Sequence, residues 1–152
     1  MSYLKRVLQP DEQVRYVAKI HWVIYIPALA VLAVACAASI ASASADATRP
    51  LWFILAALLA VLAFLMLAAA WFRRWTTEIA VTSRRVIYKR GFIRRNTIEM
   101  NMDKVASVDV VQSIMGRLLN YGSVTVTAAG QNLDAMHTIE SPIELRNHIT
   151  AA

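Results

Sequence analysis

The sequence predicts a transmembrane α-helical hairpin followed by a mainly-β domain of short antiparallel strands closed by a C-terminal helix. Three observations predict it. Of 152 residues, 58% are hydrophobic and only 17% charged, whereas ordinary globular chains are about half apolar and about a quarter charged. The excess is concentrated in two long uncharged runs before residue 73. Beyond them the pattern switches to period-two alternation broken by turn residues, and then to a helical period at the end. The same composition excludes a disordered chain, which is poor in apolar residues. Cys36 is the single cysteine, so no intrachain disulfide framework exists, and four glycines with four prolines exclude collagen-like or linker character.

The first 21 residues read as an amphipathic cytoplasmic lead-in that carries Lys5, Arg6, Arg15 and Lys19 together with Asp11 and Glu12. Trp22–Ala45 and Leu51–Phe72 then form uncharged runs of 24 and 22 residues. At about 1.5 Å of rise per residue, each can cross a hydrocarbon core about 30 Å thick. Asp46–Pro50 is too short to allow anything but two antiparallel spans. All four tryptophans, Trp22, Trp52, Trp71 and Trp75, lie at the ends of the runs, where indole rings meet headgroups. A secretory signal with a cleavage site in Ala41–Ala45 is the rival reading. It fails because the run is too long and because Asp11 and Glu12 interrupt the leading segment. Lys and Arg flank the hairpin before Trp22 and after Phe72, so both termini are expected in the cytoplasm and Asp46–Pro50 outside. Small residues recur at helical spacing, Ala33, Ala37 and Ala41 on one span and Ala56, Ala60 and Ala63 on the other, and such stripes favour close helix packing. A solute path along Ser39, Ser42 and Ser44 is the alternative, but the spans hold no ionisable residue and no broken helix.

Residues 73–152 read as the cytoplasmic domain. Alternation at Ile79/Val81, Ile98/Met100/Met102, Val108/Val110 and Val124/Val126 places strands near 76–81, 85–90, 94–102, 105–111, 123–128 and 135–140, with one face on a core. A helical turn is expected over Ser113–Leu119. Ser141-Pro142-Ile143-Glu144 reads as a capping box that starts a helix running to about Ala151, with Leu145 and Ile149 on one face.

These residues carry a resemblance. Thr82-Ser83-Arg84-Arg85-Val86-Ile87-Tyr88 with Gly91, Gln112-Ser113 with Gly116-Arg117-Leu118, Asn120-Tyr121-Gly122, and the stretch from Val124 to Ser141-Pro142 resemble small bacterial membrane proteins carrying a pleckstrin-homology (PH) domain of the YdbS-like type. Leu8-Gln9-Pro10-Asp11-Glu12 and His21-Trp22 resemble the lead-in of those proteins. The resemblance implies two membrane helices and then a PH-like, strongly bent antiparallel sheet or partly open barrel closed by a C-terminal helix. It also implies a multi-pass protein of the bacterial inner membrane. It implies no agreed biochemical activity.

Catalytic constellations are absent from the sequence. His21, His137 and His148 have no ligand spacing, Cys36 lies mid-span, and no glycine-rich phosphate loop occurs. Glu140 and Glu144 flank a helix start, and Asp103 and Asp109 read as solvated. No enzyme, cofactor or metal is therefore expected. The informative feature is charge: residues 73–95 carry eight Lys/Arg and one acid, while residues 96–152 carry three basic and six acidic residues. Arg84, Arg85, Lys89, Arg90, Arg94 and Arg95 are expected to form one basic rim facing anionic lipid headgroups, because juxtamembrane basic clusters attract them. Nucleic acid is not expected, since stacking aromatics are not interleaved with the basic residues. Gln112, Ser113, Gly116, Arg117 and Gly122 read as a structural motif in which Leu118 and Leu119 plug the end of the sheet and Arg117 donates to nearby carbonyls. The function expected is a membrane-anchored binding or scaffold module that meets lipid, a membrane protein partner or copies of itself in a homo-oligomer. The alternative is an accessory subunit of a small transporter or channel acting through the hairpin.

Overall fold

The computed structural model describes residues 12–44, 48–91, 96–128, 131–132 and 135–151. The chain divides into two compact units, Trp22–Arg73 and a second made of Met1–His21 with Arg74–Ala152.

The first unit opens with a 3₁₀ turn at Trp22–Tyr25 and continues as α1, Ile26–Ser44, and α2, Arg49–Thr76. Leu and Ala sustain both helices. Pro27 and Pro50 each occupy a first turn, where the missing N–H has no intrahelical partner to lose. Ser39 and Ser42 turn their hydroxyls back onto the carbonyls of Cys36 and Ser39, at 2.7 and 2.6 Å. These polar groups are satisfied within the helix rather than offered to a solute. Both helices are long and apolar enough to cross a membrane, and only 17% of each apolar window is covered by protein. The buried small residues are Ala28, Ala35, Ala38 and Ser42 on α1 and Ala56, Ala63 and Ala70 on α2. Ala33, Ala37 and Ala60 of the expected stripes are instead exposed, because the buried seam repeats about every seven residues, the coiled-coil spacing. The second span also continues past Phe72 through Arg73 and Arg74 to Thr76. Arginine is a good helix former, and no breaker intervenes.

The second unit holds two four-stranded antiparallel sheets that do not join into a closed barrel. One runs in the order β1 (Val14–Ala18), β2 (Glu78–Thr82), β3 (Arg85–Arg90) and β4 (Asn96–Asn101). In the other, β6 (Tyr121–Ala128) pairs with β5 (Val105–Val111) on one side and with β7 (Gln131–Asn132) and β8 (Met136–Glu140) on the other. A short helix, α3 (Ile114–Leu118), links β5 to β6, and α4 (Pro142–Thr150) ends the chain. The expected strands over 85–90 and 105–111 are observed at those bounds, and those over 76–81, 123–128 and 135–140 shift by one or two residues; the strand expected over 94–102 is described as Asn96–Asn101, its first two residues lying outside the described residues.

The lead-in contributes a strand that the pattern did not announce. Val14–Ala18 pairs with β2 in the register Val17↔Ala80 and Ala18↔Ile79. The chain then passes to the other sheet. Ile20 bridges to Ile139, the His21 N–H donates to the Thr138 carbonyl at 2.8 Å, and the Glu140 N–H donates to the Lys19 carbonyl at 3.0 Å. Residues 14–21 thus stitch the two sheets along one side. Ile79, Val81, Val86, Met100, Val124, Val126, Met136, Ile139, Leu145 and Ile149 pack into one core, so the alternating positions do face inward. β2 and β3 are buried on their second face as well, at Ala80 and Ile87.

The expected capping box does not form. Ser141 sits in the left-handed region at φ 49° and makes no side-chain cap to α4. Its hydroxyl instead accepts from Asn120 Nδ2 at 2.9 Å, and its N–H donates to the Asn120 carbonyl at 3.0 Å. The tie to Asn120, between α3 and β6, takes the hydroxyl in place of the cap. Pro142 still opens the helix as expected.

Candidate functional site

Register decides which charged residues share a place. β2 and β3 pair Glu78↔Lys89 and Val81↔Val86, and β3 and β4 pair Arg85↔Asn101 and Arg90↔Asn96. Arg84/Arg85 and Lys89/Arg90 therefore lie at opposite ends of one strand, about 17 Å apart at a rise of roughly 3.3 Å per residue. They do not form one rim. Arg94 and Arg95 lie outside the described residues.

At the Arg85 end, the turn Thr82–Arg85 anchors the segment before β1. Arg85 meets the buried Glu12 carboxylate in a bidentate contact, Nε to Oε1 at 2.9 Å and Nη2 to Oε2 at 2.7 Å, and its Nη1 reaches Glu99 at 2.6 Å. The Thr82 hydroxyl donates to Glu12 Oε1 at 2.6 Å and accepts from the Arg85 N–H at 3.0 Å. The Ser83 N–H donates to the Gln13 carbonyl at 2.9 Å. The hydrogen bond to Glu12 is the first cause holding the Arg85 guanidinium above its ordinary pKa. A planar guanidinium matches a carboxylate in two parallel bonds, which lysine cannot do. All three Arg85 nitrogens are thus bound within the domain, so this residue is a structural staple and not a headgroup contact. Beside the staple, Glu12, Ser83, Arg84, Arg85, Asn101, Met102 and Asp103 line an open cleft of about 460 Å³. Arg84 is its exposed cation, and its carbonyl accepts from the Met102 N–H at 2.9 Å.

The opposite end of the sheet is where the chain joins the spans. Ala18 lies across from Ile79, and Glu78 follows the end of α2 at Thr76 by two residues. Lys89 is half-buried and Arg90 exposed at this end.

Gln112–Gly122 forms a knuckle between β5 and β6. Ser113 caps α3, its hydroxyl accepting from the Gly116 N–H at 3.0 Å. Gln112 Nε2 donates to the Tyr121 carbonyl at 3.2 Å and lies 3.4 Å from that of Gly116. Gly116 is required by space: a Cβ there would stand 2.6 Å from the Tyr121 carbonyl oxygen. A Cβ on Gly122 would stand 2.8 Å from the Val111 carbonyl oxygen and from Gln112 Cγ. Gln112, Ser113, Gly116 and Gly122 are thus brought together as a structural motif. Arg117 is not part of it; its side chain is exposed and makes no hydrogen bond or ion pair among the described residues. Leu118 plugs nothing. It is exposed, as are Ile114 and Met115, because Gly116 and not Leu118 is the α3 residue turned to the sheet.

Tyr16 packs against α4. Its ring stacks on His148 with centroids 4.8 Å apart, and its hydroxyl lies 3.5 Å from Glu144 Oε2. Burial first, and then the negative charges of Glu144 and Glu140, raise its pKa above the ordinary 10.0. Spacing could not have announced Glu12 as the partner of Arg85, since the two are 73 residues apart. The exposed knuckle had a local signal in the Gly116 that forces its neighbours outward.

Two apolar helices of spanning length followed by paired antiparallel sheets and a C-terminal helix define a PH-like module fitted with a helical hairpin. Residues 23–152 match the family described as Bacterial PH domain, and the chain belongs to that family. No curated protein and no solved structure matches the chain.

Proposed function

We propose that this protein is a membrane-anchored binding and scaffold module, not an enzyme. Its hairpin spans the bacterial plasma membrane with both termini in the cytoplasm. Its PH-like domain meets anionic headgroups at the end where the chain joins the spans. The observation that carries this reading is the register Glu78↔Lys89. Glu78 follows the end of α2 by two residues, and two residues reach at most about 7 Å. Arg90 and Lys89 are therefore tethered near the cationic, tryptophan-bearing segment Trp71–Trp75. Arg84, at the far end of β3, is not. Each cation near an anionic surface contributes about 1 kcal/mol, screened by salt.

The test uses the full chain extracted with mixed phosphatidylcholine and phosphatidylglycerol and analysed by native mass spectrometry. The wild type retains phosphatidylglycerol preferentially. Replacing Lys89 and Arg90 together by Gln lowers that preference several-fold, and Arg84→Gln leaves it unchanged. Equal retention of both lipids by the wild type, or a loss caused by Arg84→Gln alone, overturns the reading.

A further inference from the structure

The knuckle displays apolar side chains that the domain makes no attempt to bury. Ile114 is 88% exposed, Leu118 77%, Val111 69% and Met115 57%. The frame beneath them is closely packed and hydrogen-bonded. Gly116 sits against the Tyr121 carbonyl, Ser113 caps the turn, Gln112 ties β5 to β6, and Asn120 is fastened to Ser141. A hydrogen-bonded frame that presents four clustered apolar side chains to solvent marks an interaction surface.

We infer that this knuckle inserts into the headgroup–acyl boundary of the membrane that anchors the chain. The inference rests on the membrane-anchored reading above. Three observations select the bilayer over a protein. First, the base of the knuckle packs, within its own unit, on the residue from which the chain enters the first apolar segment. The Tyr121 ring stacks on His21, with centroids 5.3 Å apart, and His21 immediately precedes Trp22, where the first apolar segment begins. Second, the charge suits an anionic surface. Residues 110–122 contain no acid and one cation, Arg117. A long basic side chain beside apolar neighbours can keep its head in the headgroup layer while they enter the acyl region. Third, the area is small. Four such side chains offer on the order of 500 Å², short of the roughly 800 Å² per partner of a standard protein interface. Insertion at the membrane surface has no such minimum, because binding there scales with whatever apolar area enters.

The test is site-directed spin labelling of the full chain in vesicles of phosphatidylcholine and phosphatidylglycerol. Three single-label proteins are compared: the natural Cys36, and Leu118→Cys and Asp103→Cys, each in a Cys36→Ala background. Collision with oxygen reports the bilayer, and collision with a water-soluble nickel chelate reports water. The Cys36 label is expected to favour oxygen several-fold, the label at 118 to follow it, and the label at 103, beside the distal cleft, to favour nickel. A label at 118 as aqueous as that at 103, while Cys36 stays in the bilayer, overturns the insertion and leaves the anchoring intact. An aqueous Cys36 label overturns the anchoring itself. Low collision with both reagents at 118 also overturns the insertion, since it means that protein covers the knuckle.

Discussion

Breaking the Glu12–Arg85 pair is expected to unfold the domain at much lower denaturant. In Arg85→Met the buried Glu12 carboxylate keeps the Thr82 hydroxyl at 2.6 Å but loses both guanidinium bonds. The side chain of Glu12 is 0% exposed and that of Arg85 15%, so the carboxylate loses a partner for which water from the neighbouring cleft is only a partial substitute. Removing one member of a buried pair costs about 3–5 kcal/mol. The lower end applies here, because Thr82 remains and Glu99, 33% exposed, is rehydrated. With a urea slope of about 2 kcal/mol per molar for a domain of this size, a loss of about 3 kcal/mol lowers the midpoint by about 1.5 M. The assay is urea unfolding of the full chain in micelles, followed by circular dichroism, in which the spans stay embedded and the β-domain melts. Glu12→Leu combined with Arg85→Met removes both charges and is expected to recover at least half of the loss, as a coupled pair must. A midpoint within about 0.3 M of wild type for Arg85→Met refutes the staple. A double variant as unstable as Arg85→Met alone would mean that the cost is lost packing and not a stranded charge.

Gly116→Ala drives a Cβ to 2.6 Å from a backbone oxygen and should cost about 1–3 kcal/mol, whereas Arg117→Ala should stay within about 0.5 kcal/mol of wild type; the same urea assay reads both. Tyr16 supplies a pH dependence. Its folded pKa lies above 10.0, so its contribution is fully present below pH 10 and is lost as the pH rises through the folded value. The wild-type midpoint should therefore fall from pH 9 to pH 11, and that of Tyr16→Phe should fall less. Orientation is checked in intact cells in a Cys36→Ala background: an impermeant thiol reagent should label Ala47→Cys and not Arg90→Cys, and labelling at 90 would reverse the topology.

Much of the fold was legible because each part obeys a period that a single sequence displays. The two uncharged runs are long enough to span, and the alternation at Ile79/Val81 and Val124/Val126 points to the residues that now fill the core. β1 escaped because its strand character is carried by only five residues, Val14–Ala18, with Val14 and Val17 both exposed. Arg15 within it and Lys19 just beyond it read as the flank of a span. The cap at Ser141 escaped for a different reason. The sequence motif was present, but a long-range tie to Asn120 takes the hydroxyl, and Ser141 sits in the left-handed region rather than in the extended backbone of an N-cap.

The basic cluster shows where reading along the chain fails for a site. Pairs of cations five residues apart look like neighbours in sequence, yet on one antiparallel strand that spacing spans its whole length. What matters instead is which end of the sheet each pair occupies, and pairing partners from other parts of the chain set that. Glu78 assigns Lys89 to the end that continues into α2, while Asn101 assigns Arg85 to the other end, where Glu12 and Glu99 neutralise it. The His21–Tyr121 stack holds the base of the knuckle against the residue that just precedes Trp22 in the chain. Cations at one joint and apolar side chains at the other belong to the same kind of surface, one that is anionic outside and apolar a few ångströms in. Neither half alone selects a bilayer. Together they are the two features that the proposed membrane-facing reading joins.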